Sequence, residues 1–132
     1  MSEKVCSHYN TRVLTRKEIY PVLGAGIEIT AKVKHCDDCG EDLFDLTLEE
    51  HNLLNAYEKY KKEHGLLSYK EIIKIREYSG LTAEDFANLI GCSAARYVGF
   101  ESGRIQSIEE DRLIRLMSRK ENIEFLQNLK AR

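Results

Sequence analysis

The chain has 132 residues, of which 42% are hydrophobic and 32% are charged. These values argue for one folded domain or two very small ones, and against a long disordered chain. The 20 basic and 22 acidic side chains leave a formal charge of −2. This balance excludes a strongly basic nucleic-acid coat protein, although a local basic patch can still exist.

Membrane insertion and export are not expected from the sequence. No run of about 18 consecutive apolar residues occurs, and no hydrophobic signal core follows the first residues. The sequence therefore predicts a cytoplasmic protein without a membrane span.

The first regular segment, residues 12–35, has the pattern of a β-hairpin. From residue 27 to residue 33, apolar and polar side chains alternate, which is the period of a strand with one buried face. The partner strand covers roughly residues 12–20. The connecting loop is predicted at residues 21–26, which hold the only proline and two glycines.

The close cysteine pair at the exit of this hairpin indicates half of a zinc site. Cys36 and Cys39 are separated by two residues and followed by Gly40. Such a turn lets two thiolates reach one ion, and glycine permits a positive φ. Reduced thiols are favoured over disulfides, because the chain has no signal peptide and is rich in helix-forming sequence.

From Thr47 onward the apolar spacing becomes helical. Thr47–Glu50 has the form of a capping box and Gly65 supplies a stop, which predicts a helix of about four turns. We place the domain boundary after this helix. The first domain then covers residues 1–64 and the second covers residues 65–132.

The second domain is predicted to contain five short helices. Serine or threonine precedes four of them, and glycine follows several. The four predicted caps are Ser68, Thr82, Ser93 and Ser107, and the fifth helix covers residues 121–130. The predicted fold class is α+β: a small N-terminal β-hairpin, zinc-ribbon-like domain with one helix, followed by an all-α five-helix domain.

The second and third of these helices are joined as in a helix-turn-helix. Ala87 and Gly91 are small enough for a close crossing of the two helices. Apolar residues occupy both inner faces: Phe86, Ile90, Cys92, Tyr97 and Phe100. An ordinary helical hairpin shares this spacing and is the alternative interpretation.

Several segments of the chain resemble the MqsA/YgiT-type antitoxin family. They are Gly65–Ile72, Ile75–Glu77, Gly80–Thr82, Phe86–Ala87, Ile90–Gly91 and Phe100–Gly103. The cysteine pair with Gly40-Glu41, and Tyr57 with Tyr60, extend the resemblance over nearly the whole chain. The resemblance implies a zinc-binding domain followed by an Xre-type helix-turn-helix domain. It also implies a homodimeric repressor that binds its own promoter and neutralises a cognate toxin protein.

The N-terminal metal ligands depart from the pattern that this resemblance implies. A second cysteine pair is expected, but the sequence reads Cys6-Ser7-His8-Tyr9. Because neutral tyrosine is a poor zinc ligand, His8 is the natural substitute. The predicted zinc ligands are Cys6, His8, Cys36 and Cys39, with His35 as an alternative fourth ligand. In the other interpretation the domain has lost its metal and Cys6 is a small buried hydrophobe.

The predicted recognition helix departs from the family as well. Such a helix reads base edges in the major groove with polar or basic side chains. The candidate DNA contacts are Ser93, Ala94, Arg96, Tyr97, Lys70, Lys74 and Arg104. The basic or amide residues implied at Ala95 and Gly99 are missing. Residues 82–103 carry one basic and three acidic residues, a net charge of 1 − 3 = −2.

Two functions follow from these observations. The first is an antitoxin-like transcriptional regulator that binds operator DNA and a toxin. The second is a protein-binding module that keeps the helix-turn-helix fold with little or no DNA binding. An enzyme is not expected, because the sequence has no glycine-rich phosphate loop, nucleophile elbow or metalloprotease helix.

Overall fold

The fold is α+β, which confirms the predicted class. The structure, a computed structural model, describes residues 5–131. A three-stranded antiparallel sheet is followed by six helices in this part of the chain. The chain divides into two compact units, one ending at Ala56 and one beginning at Tyr57. Among the described helices, none has the length and apolar character needed to cross a membrane.

The sheet is built from a long hairpin and one short strand. Strand β1 covers Thr11–Val22, β2 covers Ala25–Cys36 and β3 covers Asp42–Leu43, in the order β1-β2-β3. In the hairpin Thr11 lies opposite Cys36, and in the shorter pair His35 lies opposite Asp42. Strand β3 was not predicted from the sequence, and it adds a second antiparallel partner at the end of β2.

The hairpin turn is shorter than the predicted loop of residues 21–26. Only Leu23 and Gly24 lie outside the strands, with φ of 47° and 82°. Positive φ at both positions matches the right-handed twist of a tight hairpin. Pro21 stays in the ladder opposite Gly26, on the edge strand β1, where a missing N–H is tolerated.

The predicted alternation of β2 is confirmed by its burial. Ile27, Ile29 and Ala31 are buried, whereas the residues between them are exposed. Helix α1 covers Leu46–Glu63. Asn52 of α1 is buried, and its side chain bonds both the N–H and the C=O of Lys32 at 2.9 Å. This amide satisfies backbone groups of β2 that have no strand neighbour there.

The second unit contains five further helices. They are α2 (Tyr69–Ser79), α3 (Ala83–Ile90), α4 (Ala94–Glu101), α5 (Ile108–Leu116) and α6 (Lys120–Lys130). All four predicted serine and threonine caps are confirmed, because each side chain accepts the N–H three residues later. The largest core residues of this unit are Ile72, Phe86, Tyr97, Phe100, Ile114 and Met117.

A buried carboxylate fixes the segment that leads into α2. Asp111, 4% exposed, accepts the N–H of Leu67 at 2.8 Å and the side-chain amide of Gln106 at 3.0 Å. The Gln106 amide also donates to the Leu67 carbonyl. Arg115 joins the other Asp111 oxygen at 2.7 Å to the Gly65 carbonyl at 2.8 Å. Residues 65–67 are therefore held by the helical unit itself.

Candidate metal centre and helix-turn-helix surface

Four sulfur and nitrogen ligands come together at the end of the hairpin. Cys6 and His8 precede β1, Cys36 ends β2, and Cys39 lies in the following turn. Their ligand atoms all lie within 4.8 Å of one another. The structure therefore confirms that the four predicted residues form a cluster that could hold a metal ion.

Two distances within the cluster match the edges of a tetrahedral zinc site. The sulfurs of Cys6 and Cys36 are 3.7 Å apart, and the Cys39 sulfur is 3.5 Å from Nδ1 of His8. Zinc bonds of about 2.3 Å to sulfur and about 2.0–2.1 Å to nitrogen give tetrahedral edges of about 3.8 Å and about 3.6 Å, respectively. Both measured separations agree with these edges, and three cysteines with one histidine are an established structural zinc set.

Backbone hydrogen bonds shape the turn that carries Cys36 and Cys39. The Gly40 N–H donates to the Cys36 carbonyl at 2.9 Å, and the Cys36 N–H donates to the Glu41 carbonyl at 2.9 Å. Gly40 has φ of 77°, as the sequence predicted for this position. The Asp37 N–H donates to the Asn10 carbonyl at 2.8 Å. This bond ties the turn to the segment between His8 and β1.

The tight Cys6-Ser7-His8 spacing is made possible by an unusual backbone conformation. His8 has φ of 55°, in the left-handed region that costs a side-chain-bearing residue about 1–2 kcal/mol. Its N–H points to the Cys6 sulfur at 3.4 Å. The left-handed turn folds the segment back, so that two residues with only one residue between them place their ligand atoms close together.

The pKa values of Cys36 and Cys39 are shifted in opposite directions. The His8 side chain, together with backbone N–H groups, lowers the pKa of Cys36 to about 6. For Cys39, the backbone contact with Glu41 lowers the pKa, but desolvation and the neighbouring thiols of Cys36 and Cys6 outweigh it and raise the pKa to about 11. Once one of several neighbouring thiols is ionised, its negative charge opposes deprotonation of the next. A bound divalent metal would supply the positive charge that offsets this repulsion.

The alternative ligand His35 is directed elsewhere. Its Nδ1 lies 3.1 Å from a carboxylate oxygen of Asp42, the residue opposite it in the β2–β3 pair. Asp42 also forms an ion pair with Arg16. Both contacts lower the pKa of Asp42, and the contact with Arg16 has the larger effect. Tyr9, which follows His8, is exposed. His35 does not belong to the ligand cluster.

Helices α3 and α4 are joined by a short turn and pack against each other. Gly91 ends α3 with φ of 77°, and the Cys92 N–H donates to the Ala87 carbonyl at 2.9 Å. The Phe86 and Tyr97 rings face each other across the two helices with centroids 5.0 Å apart. Tyr97, a predicted DNA contact, is fully buried in this core and is therefore not available at the surface.

The guanidinium of Arg96 is held by a carboxylate of α5. Its Nε and one terminal nitrogen contact the two oxygens of Glu110 at 2.6 and 2.8 Å. This pair, together with the bonds from Ser107, lowers the pKa of Glu110 to about 2. Glu110 also closes the capping box of α5 by accepting the Ser107 N–H at 2.8 Å. The carboxylate that holds Arg96 is thus also a structural element of α5.

A second interhelical ion pair was not predicted from the sequence. Arg76 of α2 contacts both oxygens of Glu101 of α4 at 2.6 and 3.0 Å, and also donates to the Leu81 carbonyl. The two side chains are 25 residues apart, so no local pattern signals the contact. Arg76 thus compensates the charge of Glu101. The net charge of −2 counted for residues 82–103 omits this, because residue 76 lies outside that range.

The remaining predicted contacts occupy different environments. The Ser93 hydroxyl caps α4 by accepting the Arg96 N–H at 3.2 Å. Four residues are exposed on the surface of the helical unit: Ala94, Lys70, Lys74 and Arg104. Comparisons with protein-family models, curated proteins and solved structures gave no match for this chain.

Proposed function

We propose that this chain is an antitoxin-like transcriptional regulator that binds operator DNA through an Xre-type helix-turn-helix formed by α3 and α4. The observation that carries the proposal is the packing of these helices around Phe86 and Tyr97. It leaves Ala94 and Ala95, at the N-terminal end of α4, exposed. The N-terminal residues of the second helix are those that reach base edges in this class of protein.

The test is a salt series with two DNA duplexes. One carries the sequence upstream of the coding region and the other a scrambled version of it. Binding to the first should be tighter, and its log K should fall linearly with log salt as phosphate contacts release counterions. Equal affinity for both duplexes would contradict operator recognition.

We also propose that the resident metal of the Cys6-His8-Cys36-Cys39 cluster is zinc and that it stabilises a zinc-ribbon-like first domain. The donor set and the two measured separations support zinc. When bound, zinc would supply the positive charge that keeps three thiols deprotonated together.

The zinc assignment is tested by metal analysis of matched cysteine variants. Cys36→Ser removes a clustered thiol, whereas Cys92→Ser removes a thiol in the turn before α4. The wild type and Cys92→Ser should hold one zinc per chain, and Cys36→Ser should lose it. Cobalt replacement should give thiolate charge-transfer absorption in the first two proteins only. Equal zinc content in all three would refute the assignment.

The homodimer and the cognate toxin belong to the same proposal and rest on the resemblance. Sedimentation velocity should show a species with twice the mass of the chain. Co-expression with the product of the neighbouring reading frame should relieve the growth arrest caused by that product alone. A monomer, or a growth arrest that persists, would contradict these two parts of the proposal.

A protein-binding module is the second candidate. It is favoured by the pairing of Arg96 with Glu110 and by the exposed Glu84 and Asp85 in the first turn of α3. Carboxylates at this position repel DNA phosphates. If the salt series shows no DNA binding that depends on salt, this candidate replaces the first.

A further inference from the structure

One arginine lies within α4 and a second follows its C-terminal end, and their guanidinium groups have different partners. The Arg96 guanidinium donates to both oxygens of Glu110, at 2.6 and 2.8 Å. Arg104 is exposed and forms no ion pair with a carboxylate of residues 5–131. Of these two arginines, only Arg104 presents a positive charge that no carboxylate of the described residues compensates.

The missing side chain of Gly99 makes room for the stem of Arg104. A Cβ added at Gly99 would lie 2.8 Å from Cδ of Arg104 and 3.5 Å from its Cγ and Nε. The Arg104 N–H donates to the Gly99 carbonyl at 2.8 Å, which fixes the backbone from which the stem starts. The arginine side chain thus lies along α4 in the space that any larger residue at this position would fill.

This placement puts the guanidinium on the exposed side of the helix. Gly99 lies one turn after Ala95, so the two residues share a face. That face is exposed at Ala95 and Val98, whereas Tyr97 and Phe100 on the other side are buried. A planar guanidinium held beside an exposed helix face matches the bidentate geometry of a phosphate group.

We propose that Arg104, and not Arg96, supplies the cation with which the α4 surface contacts DNA phosphate. The inference rests on the proposed DNA binding and assigns it to one side chain. Arg96 instead serves α5, because its partner Glu110 also closes the capping box of that helix.

The experiment measures binding to a fluorescein-labelled duplex of scrambled sequence, about three helical turns long, because phosphate contacts do not depend on sequence. Fluorescence anisotropy over a salt series gives the slope of log K against log salt for the wild type, Arg104→Gln and Arg96→Gln. The latter two are matched, since each removes one exposed guanidinium, from α4 itself in Arg96→Gln and from the residues after it in Arg104→Gln. Circular dichroism checks that each variant is folded.

We expect Arg104→Gln to reduce the magnitude of the slope by about 0.9 per chain, and to weaken binding about 5–10-fold near 0.1 M salt. Arg96→Gln should leave the slope unchanged. Gly99→Ala provides an independent check, because Gly99 has no positive φ and alanine favours a helix. Its Cβ should displace the arginine stem, so that this variant is at least as stable as the wild type but binds DNA more weakly.

Three results would overturn the inference in distinguishable ways. A wild-type chain without salt-dependent binding would overturn the proposed function and this inference together. Wild-type binding with an unchanged slope in Arg104→Gln would overturn the inference alone. If Arg96→Gln, and not Arg104→Gln, reduces the slope of log K against log salt, Arg96 and not Arg104 contacts phosphate.

Discussion

Replacing the buried carboxylate Asp111 should destabilise the helical unit more than any surface substitution on α5. In Asp111→Ala the N–H of Leu67, itself 6% exposed, loses its acceptor, and so does one N–H of the Gln106 amide. Each buried donor left without a partner costs about 1–3 kcal/mol. Arg115, whose side chain is 48% exposed, can turn to water instead.

The expected loss in the free energy of unfolding is therefore about 2–4 kcal/mol for Asp111→Ala. Glu109→Ala is the matched control, because it removes an exposed carboxylate from the same first turn of α5. The control should cost only its share of the helix-dipole interaction, about 0.3–1 kcal/mol. Asp111→Asn should lie between the two, because its amide oxygen can still accept from Leu67.

Urea unfolding followed by helical circular dichroism is the suitable assay, because the chain has no tryptophan. Burial alone would raise the pKa of Asp111, but the bonds from Leu67, Arg115 and Gln106 lower it. The carboxylate is thus charged at neutral pH, where the measurement is made. If the Asp111 and Glu109 variants unfold within about 0.5 kcal/mol of each other, these bonds do not stabilise the fold as argued.

Three further predictions can be checked with the same protein. Gly91→Ala should lower the free energy of urea unfolding by about 1–2 kcal/mol, because φ is 77° at this position while an added Cβ would contact nothing. Gly91→Asn should lower it less, since asparagine tolerates positive φ better, and equal losses in the two variants would show that φ is not the cause. Ionised Glu110, beside the half-exposed Arg96, should contribute about 1 kcal/mol to the free energy of unfolding above about pH 4.5, and this contribution should be lost as the pH falls towards 2. In Glu110→Gln the free energy of unfolding should therefore decrease less between pH 4.5 and pH 2, and an unchanged decrease would contradict this assignment. Adding a chelator to zinc-loaded protein should lower the calorimetric melting temperature, whereas an identical trace would show that metal does not stabilise the fold.

Local signals in the sequence were sufficient to place the helices. A cap such as Ser68 or Ser107 acts on an N–H only three residues away, so its pattern can be read without the fold. The start of α1 shows the limit of this reasoning. Thr47 had the form of a cap, but the Asp45 side chain accepts the Leu48 N–H at 3.0 Å and the helix begins at Leu46. Asp45 and Thr47 were both possible N-caps, and their positions in the sequence did not show which of them caps the helix.

The metal cluster was predictable in its members but not in its geometry. The pair of Cys36 and Cys39 is a local signal, whereas Cys6 joins it from 30 residues away. Spacing alone could not choose between His8 and His35 as the fourth ligand. The choice depends on strand pairing, because β3 brings Asp42 opposite His35 and engages its ring. It also depends on the left-handed backbone at His8, which the spacing of the ligands does not reveal.

The charge of the α3–α4 surface shows why a count of charged residues along the sequence does not describe a binding surface. A count along the sequence gives −2 for residues 82–103 and treats Glu101 as an acid facing DNA. In the structure Arg76 neutralises Glu101 and Glu110 neutralises Arg96, through pairs separated by 25 and 14 residues. What a nucleic acid meets is the charge left after such pairing, and beside α4 that charge is Arg104. Whether this surface attracts DNA therefore depends on how one arginine balances the acidic first turn of α3, which is the quantity that a salt series measures.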